Sequence, residues 1–583
     1  MAAEAAGDSA LQAPVETVAL GRPQGLKTRA ADGARTSRLA LAASLGAILL
    51  FVLVITLPFS GQAFHIDDAI FWDFARADMD SPFQQYLPDY KLIGRDFPVF
   101  RNTHPPLVSL MLSAIMRLGG EASEKTSHLS FIIFPALAGI SMFFLARRFT
   151  SGAWSPLLAS LLMMATPVLM VMSHTLMGDV PMTSFWLAAM ATYIYGVDRD
   201  DSRLLVLAGA LATLAVFTGY QALALILLLP LYALLSGRLS LKTAVPLLLP
   251  LLAFGWYVYY NLLNFGALPR YTHSQGLSLV SSHILDRVQG TLLQTGGATV
   301  FPLLLLVVFS LGRKRFLLLP VMAGAAVALA HSGFGDYSLS TQILYSVFMT
   351  TVLSALAAVI IELSVQATGK IKGTTVDVDS VFLGIWLLSL VLALSLLLPH
   401  ATARYCLPFL APLILLLFRE LELRISSRFT VNIIAATAVV LTFFAGMAVS
   451  AADYQWAQSN KDYVQNVVEK LEPQGDIWFV GEWGFRHYME SRGYRYLTST
   501  DTSPRDGDLV IRAGFSDWPL DRAVTDRMHL ISTTAVEWQV PLRVMSFETS
   551  AGFYGSHWGL LPYAITGTPV EEFEVYQISD FPL

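Results

Sequence analysis

Three carboxylates and a few cationic side chains stand at the edges of long apolar runs. His65-Ile66-Asp67-Asp68 closely follows the run Leu39 to Leu57, and Thr103-His104-Pro105-Pro106 leads into Leu107 to Met116. Asp179, in Leu176-Met-Gly-Asp179-Val-Pro181, joins two further runs, and His400 and Arg404 head a late one. A charge this close to hydrocarbon is costly unless it is paired or solvated. Helix capping is one local reason: Asp68 precedes the amphipathic segment Ile70 to Ala75, and Pro181 sits just inside the span after Asp179. Chemistry is the other. A carboxylate can take a proton from an incoming hydroxyl, while an arginine holds a departing phosphate through two parallel hydrogen bonds. On that reading Asp67, Asp68 and Asp179 are the catalytic candidates. His104, Arg404 with its neighbour Tyr405, Arg270 in the loop 263–297, and Tyr220 in the turn 218–221 are the substrate-binding candidates. No Walker motif, dinucleotide glycine pattern or HExxH is present.

The elements that must position these residues follow from composition. Of 583 residues, 54% are hydrophobic and 14% charged, whereas soluble domains run to about 25% charged. Net charge is -5, so no bulk positive field attracts nucleic acid. The single cysteine, Cys406, excludes a disulfide framework and a cysteine-based zinc site. A polytopic all-α membrane protein remains. Thirteen spans are read near 39–57, 127–146, 152–172, 181–197, 203–218, 219–236, 243–262, 298–311, 316–331, 340–361, 380–398, 404–418 and 430–450. The clusters Arg147/Arg148, Arg199/Arg203, Arg238/Lys242, Arg313 to Arg315, Lys370/Lys372 and Arg419 to Arg428 then share one side, which the positive-inside rule makes cytoplasmic. Leu107 to Met116 is too short to cross and is placed as an interfacial helix. Residues 1–37 read as a disordered cytoplasmic N-terminus, 38–450 as the membrane domain with a first periplasmic loop at 59–126, and 451–583 as a periplasmic α/β domain. In that domain, helical spacing covers Asp462 to Leu471 and Phe485 to Ser491. Strands are expected at Ile477 to Val480, Leu509 to Arg512, Arg543 to Phe547 and Phe573 to Ile578. Gly481-Glu-Trp483-Gly484 and His557-Trp558 are candidate sugar-stacking positions.

In this order and spacing, His65-Ile-Asp67-Asp68-Ala, Thr103-His104-Pro-Pro-Leu, Leu176-Met-Gly-Asp179-Val-Pro and Ala403-Arg404-Tyr405-Cys-Leu-Pro408 resemble the membrane glycosyltransferases of the GT-C class. The similarity is to the bacterial branch near the dolichyl-phosphate-mannose protein mannosyltransferases and the aminoarabinose lipid A transferase, and covers residues 39–450. The resemblance implies a polyprenyl-phosphate-linked sugar donor, used at the periplasmic face of a bacterial inner membrane, and a lipid, glycan or protein acceptor. It matches Asp67 to the first-loop acid, as general base or acceptor-positioning residue, Asp179 to the second-loop acid, and Arg404 to a donor-phosphate arginine. Two departures stand out. The position after the first acid is commonly Glu and here is Asp68. The outer turn that often carries a lysine reads Thr218-Gly219-Tyr220-Gln221, leaving Arg404 or Arg270 for that work. No cofactor is assigned, and a divalent metal stays open. A lipid-linked oligosaccharide polymerase or ligase is the alternative reading. A transporter is more distant, because the polar groups gather at one face rather than at the bilayer midplane.

Overall fold

The computed structural model describes residues 38–80, 91–96, 105–119, 123–266, 284–299, 302, 304–305, 308, 318–371, 376–398 and 400–580. The N-terminal segment 1–37, His104, Arg270 and most of the expected span 298–311 lie outside the described residues.

Among these residues, six helices are long and apolar enough to cross a membrane: Arg38–Phe59, Glu124–Phe149, Leu241–Asn264, Leu339–Gly369, Val378–Leu397 and Arg428–Lys470. Shorter apolar helices include Leu107–Leu118, Ser155–Ala165, Ser202–Thr218 and Tyr220–Leu235. Prolines set some of the breaks. Pro167 stops the helix Ser155–Ala165 and opens Pro167–Met172, because proline lacks the N–H that an interior turn needs. The helix Asp179–Arg199 is buried among the others, with Trp186, Leu187, Met190, Tyr193 and Ile194 at most 3% exposed. The outer helices instead turn large apolar side chains outward. Leu50 and Leu53, Leu252, Trp256 and Leu263, and Phe429 and Phe444 form surface that water would not tolerate and lipid covers.

Among the described residues, Arg148, Arg419 and Lys242, from three of the basic clusters, lie at one end of the bundle. Arg148 lies between Asp198 and Asp379, with Nη1 3.0 Å from Asp379, and donates to Tyr232 at 3.0 Å. Arg419 donates to the Phe149 carbonyl at 2.8 Å and to Ser380 at 3.1 Å, beside Asp377 and Asp379. Lys242 pairs with Asp200. The 21-residue helix that begins at Asp179 ends at this basic tie, about 30 Å away at 1.5 Å per residue.

The last membrane helix does not stop at the bundle surface. Arg428–Asn466 runs for 39 residues into the C-terminal region, where it packs on a five-stranded sheet. The strand order is Arg495–Tyr496, Ile477–Val480, Leu509–Ala513, Glu571–Ile578, Met528–Val536. The first three strands are parallel and the last two antiparallel to their neighbours. Both faces are covered, which is why all four residues of Ile477–Val480 are buried. Ile477, Phe479, Leu509 and Ile511 pack with Tyr463, Val464, Phe485 and Phe573, while Trp478, Val480 and Val510 pack with Leu497, Trp518 and Ile578.

Between Met528–Val536 and Glu571–Ile578 the chain leaves the sheet and settles on the helical bundle. Val544, Met545, Phe553, Tyr554 and Leu561 share its core. The first loop is held from the opposite direction. Phe64 N–H donates to Tyr488 at 2.8 Å, and Gly484 approaches so closely that a Cβ there would lie 2.0 Å from the Phe64 carbonyl oxygen. A hairpin of Lys91–Leu92 and Arg95–Asp96 carries Gly94 (φ 68°) onto the Trp518 ring. The left-handed backbone and the ring contact both require a residue without a side chain.

Candidate functional site

The site forms at the opposite end of the bundle from the basic tie. Its first element is a sharp turn after Arg38–Thr56, in which Ile66 adopts φ 46°. A β-branched residue in the left-handed region stores about 1–3 kcal/mol of strain. The Asp67 carbonyl accepts the first helical hydrogen bond, from Phe71 N–H at 2.9 Å, so Asp67 occupies the N-cap and Asp68 begins the helix Asp68–Asp80.

The two neighbours then part company. Asp67 is half-buried and faces Arg404, with its Oδ2 3.4 Å from Nη1 across 337 positions of sequence. Asp68 is fully buried and turns inward. It accepts Leu176 N–H at 2.7 Å and lies 3.4 Å from His65 Nδ1 and 3.6 Å from His128 Nε2. Burial opposes its charge, but the two imidazoles prevail and hold the carboxyl down to about 2.

His65 bridges Asp68 to a second buried carboxylate, Asp453, 3.1 Å from its Nε2. Asp453 also accepts Gln62 Nε2 at 3.0 Å and the Tyr554 hydroxyl at 2.8 Å. Burial works against a charge on His65, and Asp453 followed by Asp68 outweighs it, raising the imidazole to about 10. His174 nearby donates from Nε2 to the Ile55 carbonyl at 2.7 Å, and burial lowers it to about 4, so it is neutral.

Arg404 comes from the short turn Ala403–Cys406 that heads Leu407–Arg424. It is 9% exposed and interacts electrostatically with Asp179, Tyr405 and Asp67. Its Nη1 also lies 3.3 Å from Met177 Sδ, while its buried Nε has no acceptor among the described residues. Asp179 opens its helix after Gly178, where the helix dipole favours an anion. A Cβ on Gly178 would meet the Thr218 carbonyl at 2.6 Å, so glycine is what lets this turn close on the next one.

The fold thus brings Asp67, Asp179, Arg404 and Tyr405 together and gives Asp68 other partners. Tyr220 is packed into the helix Leu248–Phe265, paired with Tyr257 and edge-on to Phe254. The sugar-stacking candidates Trp483 and Trp558 meet edge to face at 5.2 Å, and His557 lies on Trp558 with ring centroids 3.6 Å apart. Trp456 links this group to His65. Sequence reasoning missed His128, Asp453 and Tyr554. A lone acid where the apolar stretch of a long helix gives out was the available signal for Asp453; Tyr554 offered none.

Among the described residues, no three His, Cys, Asp or Glu side chains are grouped so as to hold a metal ion. The cation facing Asp67 and Asp179 is the Arg404 guanidinium.

The family model for dolichyl-phosphate-mannose-protein mannosyltransferases matches residues 103–259. No curated protein matches by sequence. Among solved structures, the oligosaccharyltransferase of Archaeoglobus fulgidus in the apo form is similar at 14% identity and TM-score 0.49, over 80% of this chain and 65% of that one. The chain therefore spans about two thirds of that protein's length. ArnT from Cupriavidus metallidurans bound to undecaprenyl phosphate is similar at 16% identity and TM-score 0.41, covering 82% of this chain and 93% of that one. The S. cerevisiae protein O-mannosyltransferase complex bound to its sugar donor is similar at 15% identity and TM-score 0.30, over 39% of this chain and 34% of that one.

Proposed function

We propose that the chain is a glycosyltransferase of the GT-C superfamily, a reading supported by the mannosyltransferase match over residues 103–259, and that it transfers a sugar from a polyprenyl-phosphate donor to a hydroxyl or amine acceptor. In this reading the end of the bundle that bears Asp67 and Arg404 faces the periplasm of a bacterial inner membrane, together with the region after 450. The observation that carries the reading is Arg404 itself: a buried guanidinium beside two half-buried carboxylates, with one N–H group left without an acceptor among the described residues. An unmade hydrogen bond from a buried donor costs about 1–3 kcal/mol. A phosphate oxygen would satisfy it, in the geometry arginine suits best.

The chemistry follows from the placement. The acceptor oxygen or nitrogen attacks the anomeric carbon as the bond from that carbon to the phosphate oxygen breaks. Charge grows on the departing phosphate, where Arg404 stabilises it. Asp67 takes the acceptor's proton; its position at the N-cap, half-exposed, leaves its carboxylate reachable. Asp179 and Tyr405 hold Arg404 in place. Asp68, enclosed between histidines, has a structural role in this scheme.

The test is binding of undecaprenyl phosphate to the purified full chain in detergent, followed by intrinsic fluorescence. Arg404→Ala should weaken binding by about 10- to 100-fold, the equivalent of the roughly 1.5–3 kcal/mol of a charge-assisted hydrogen bond. Equal affinity in the two proteins would overturn the phosphate assignment. Sugar transfer to a membrane extract from nucleotide sugars alone would overturn the donor class.

A further inference from the structure

Asp67 and Arg404 are delivered by segments far apart in the chain, and a third segment grips both. The Phe553 carbonyl accepts Ala403 N–H and the Thr402 hydroxyl, each at 3.1 Å. Ser556 N–H donates to the Ala401 carbonyl at 2.7 Å, and Ala401 N–H donates to Ser556 Oγ at 3.1 Å. Four hydrogen bonds therefore fix the three residues that precede Arg404. Between Phe553 and Ser556, the fully buried Tyr554 sends its hydroxyl the other way. It donates to Asp453 at 2.8 Å and stands 2.9 Å from His65 Nε2, two residues before Asp67. The Tyr554 ring packs against both His65 and Trp456.

The gripping segment is itself braced. Gln294, from the helix Ile284–Ala298, donates to the Gly552 carbonyl at 3.0 Å and to the Leu560 carbonyl at 3.2 Å. Gly552 and Gly559 touch backbone to backbone, since a Cβ on Gly552 would lie 2.5 Å from the Gly559 nitrogen, and a Cβ on Gly559 would lie 2.2 Å from the Ser550 carbonyl carbon. A loop this tightly closed holds its own shape and can impose it on what it touches.

We propose that residues 553–556 form a clasp that sets the separation of Asp67 and Arg404, with Tyr554 as its positioning residue. The inference rests on the reading of Asp67 and Arg404 as the two sides of one reaction site. It gives the C-terminal region a part in catalysis without contact with the donor. A displacement of about 1 Å between reacting groups can cost about 100-fold in rate, so the hydroxyl acts on the chemical step more than on donor affinity.

The experiment uses the full chain in detergent and the variant Tyr554→Phe, which keeps the ring and removes the hydroxyl. Two readouts are taken. In transfer of a labelled polyprenyl-phosphate sugar to a membrane extract, kcat should fall about 10- to 100-fold while the donor KM stays within about threefold. In amide hydrogen exchange, segments 66–71 and 402–406 should both exchange about tenfold faster, while the strands at 477–480 and 509–513 keep the wild-type rate. Asp453→Asn still accepts from Tyr554 but removes the charge facing His65. It should loosen 66–71 likewise and guards against a Tyr554 variant that fails to fold. Unchanged kcat, exchange altered only within 550–560, or exchange raised uniformly through the strands would each overturn the clasp. Asp67→Asn in the same transfer assay separates the two ideas. Full turnover by that variant would fail the functional reading, and the exchange pattern of Tyr554→Phe would still decide whether the clasp exists.

Discussion

Replacing the adjacent Asp67 and Asp68 one at a time by asparagine should produce opposite defects. Asp68 is fully buried, so its electrostatics carry no discount for solvent screening. Its carboxyl is displaced from 3.8 to about 2 by His128 and His65 working against burial. At about 1.36 kcal/mol for each pH unit, that displacement corresponds to about 2 kcal/mol of folding stability at neutral pH. Asparagine would also exchange a charge-assisted bond from Leu176 N–H for a neutral one, worth about 1 kcal/mol more. Asp68→Asn should thus lose about 2–3 kcal/mol. The sign of the pH dependence is fixed: the folded-state pKa is depressed, so the contribution is present above about pH 4 and lost as pH falls through 2, where variant and wild type converge. Asp67 is 19% exposed and pairs with Arg404, which retains Asp179. Asp67→Asn should change stability by no more than about 1 kcal/mol while turnover falls about 10²- to 10⁴-fold. Thermal unfolding of the solubilised chain, read by tryptophan fluorescence, and transfer of a labelled polyprenyl-phosphate sugar measure the two effects. Wild-type stability in Asp68→Asn, or wild-type turnover in Asp67→Asn, would refute the division of labour.

Orientation is open to a direct check, because Cys406 is buried and leaves no background thiol. In intact cells a membrane-impermeant maleimide should label Ser503→Cys, which lies beyond the last membrane helix, and not Ser202→Cys, which lies at the basic end; the reverse pattern would invert the assignment. A second expectation concerns Glu571, 2% exposed beneath Trp456 and Phe515, which burial pushes up from 4.5 to about 7. With a raised folded-state pKa, its contribution is intact below pH 4.5 and declines by about 3 kcal/mol as pH rises to 7, so Glu571→Gln should flatten the fall in thermal stability across that interval, and parallel profiles for the two proteins would count against it.

The sequence marks the ends of the apolar runs well, and through them Asp67, Asp179 and Arg404, because a charge at a span terminus breaks an otherwise uniform hydropathy pattern. It does not reveal which of Asp67 and Asp68 faces Arg404. One left-handed residue, Ile66, decides that, and a β-branched side chain gives no hint of a positive φ. The partners of His65 are equally hidden, since Asp453 and Tyr554 lie 388 and 489 positions away. The strands Ile477–Val480, Leu509–Ala513 and Glu571–Ile578 fall where apolar runs suggest them. Met528–Val536 went unread because it is a sheet edge with an irregular polar pattern. The stretch Arg543 to Phe547 forms only the two-residue strand Met545–Ser546, held in place by the bundle rather than by the sheet. The helix Arg428–Asn466 crosses position 450 unbroken: from Gly446 the sequence contains no glycine or proline until Pro473.

The clasp has a consequence for how the protein is made. His65 emerges from the ribosome 489 residues before Tyr554. Asp68 meets His128 and Leu176 early, but His65 waits for Asp453 and Tyr554, Asp67 waits for Arg404, and Arg404 is translated before the residues that pin it. Contacts of such long sequence separation form late and slowly. The unfinished chain must shelter those charges in water at the membrane surface until Asp453 and Tyr554 arrive. A nascent protein cut before Phe553 would already contain all six of the long apolar helices, yet the segment that spaces Asp67 and Arg404 would be missing, so activity appears only once residues 553–556 have been made.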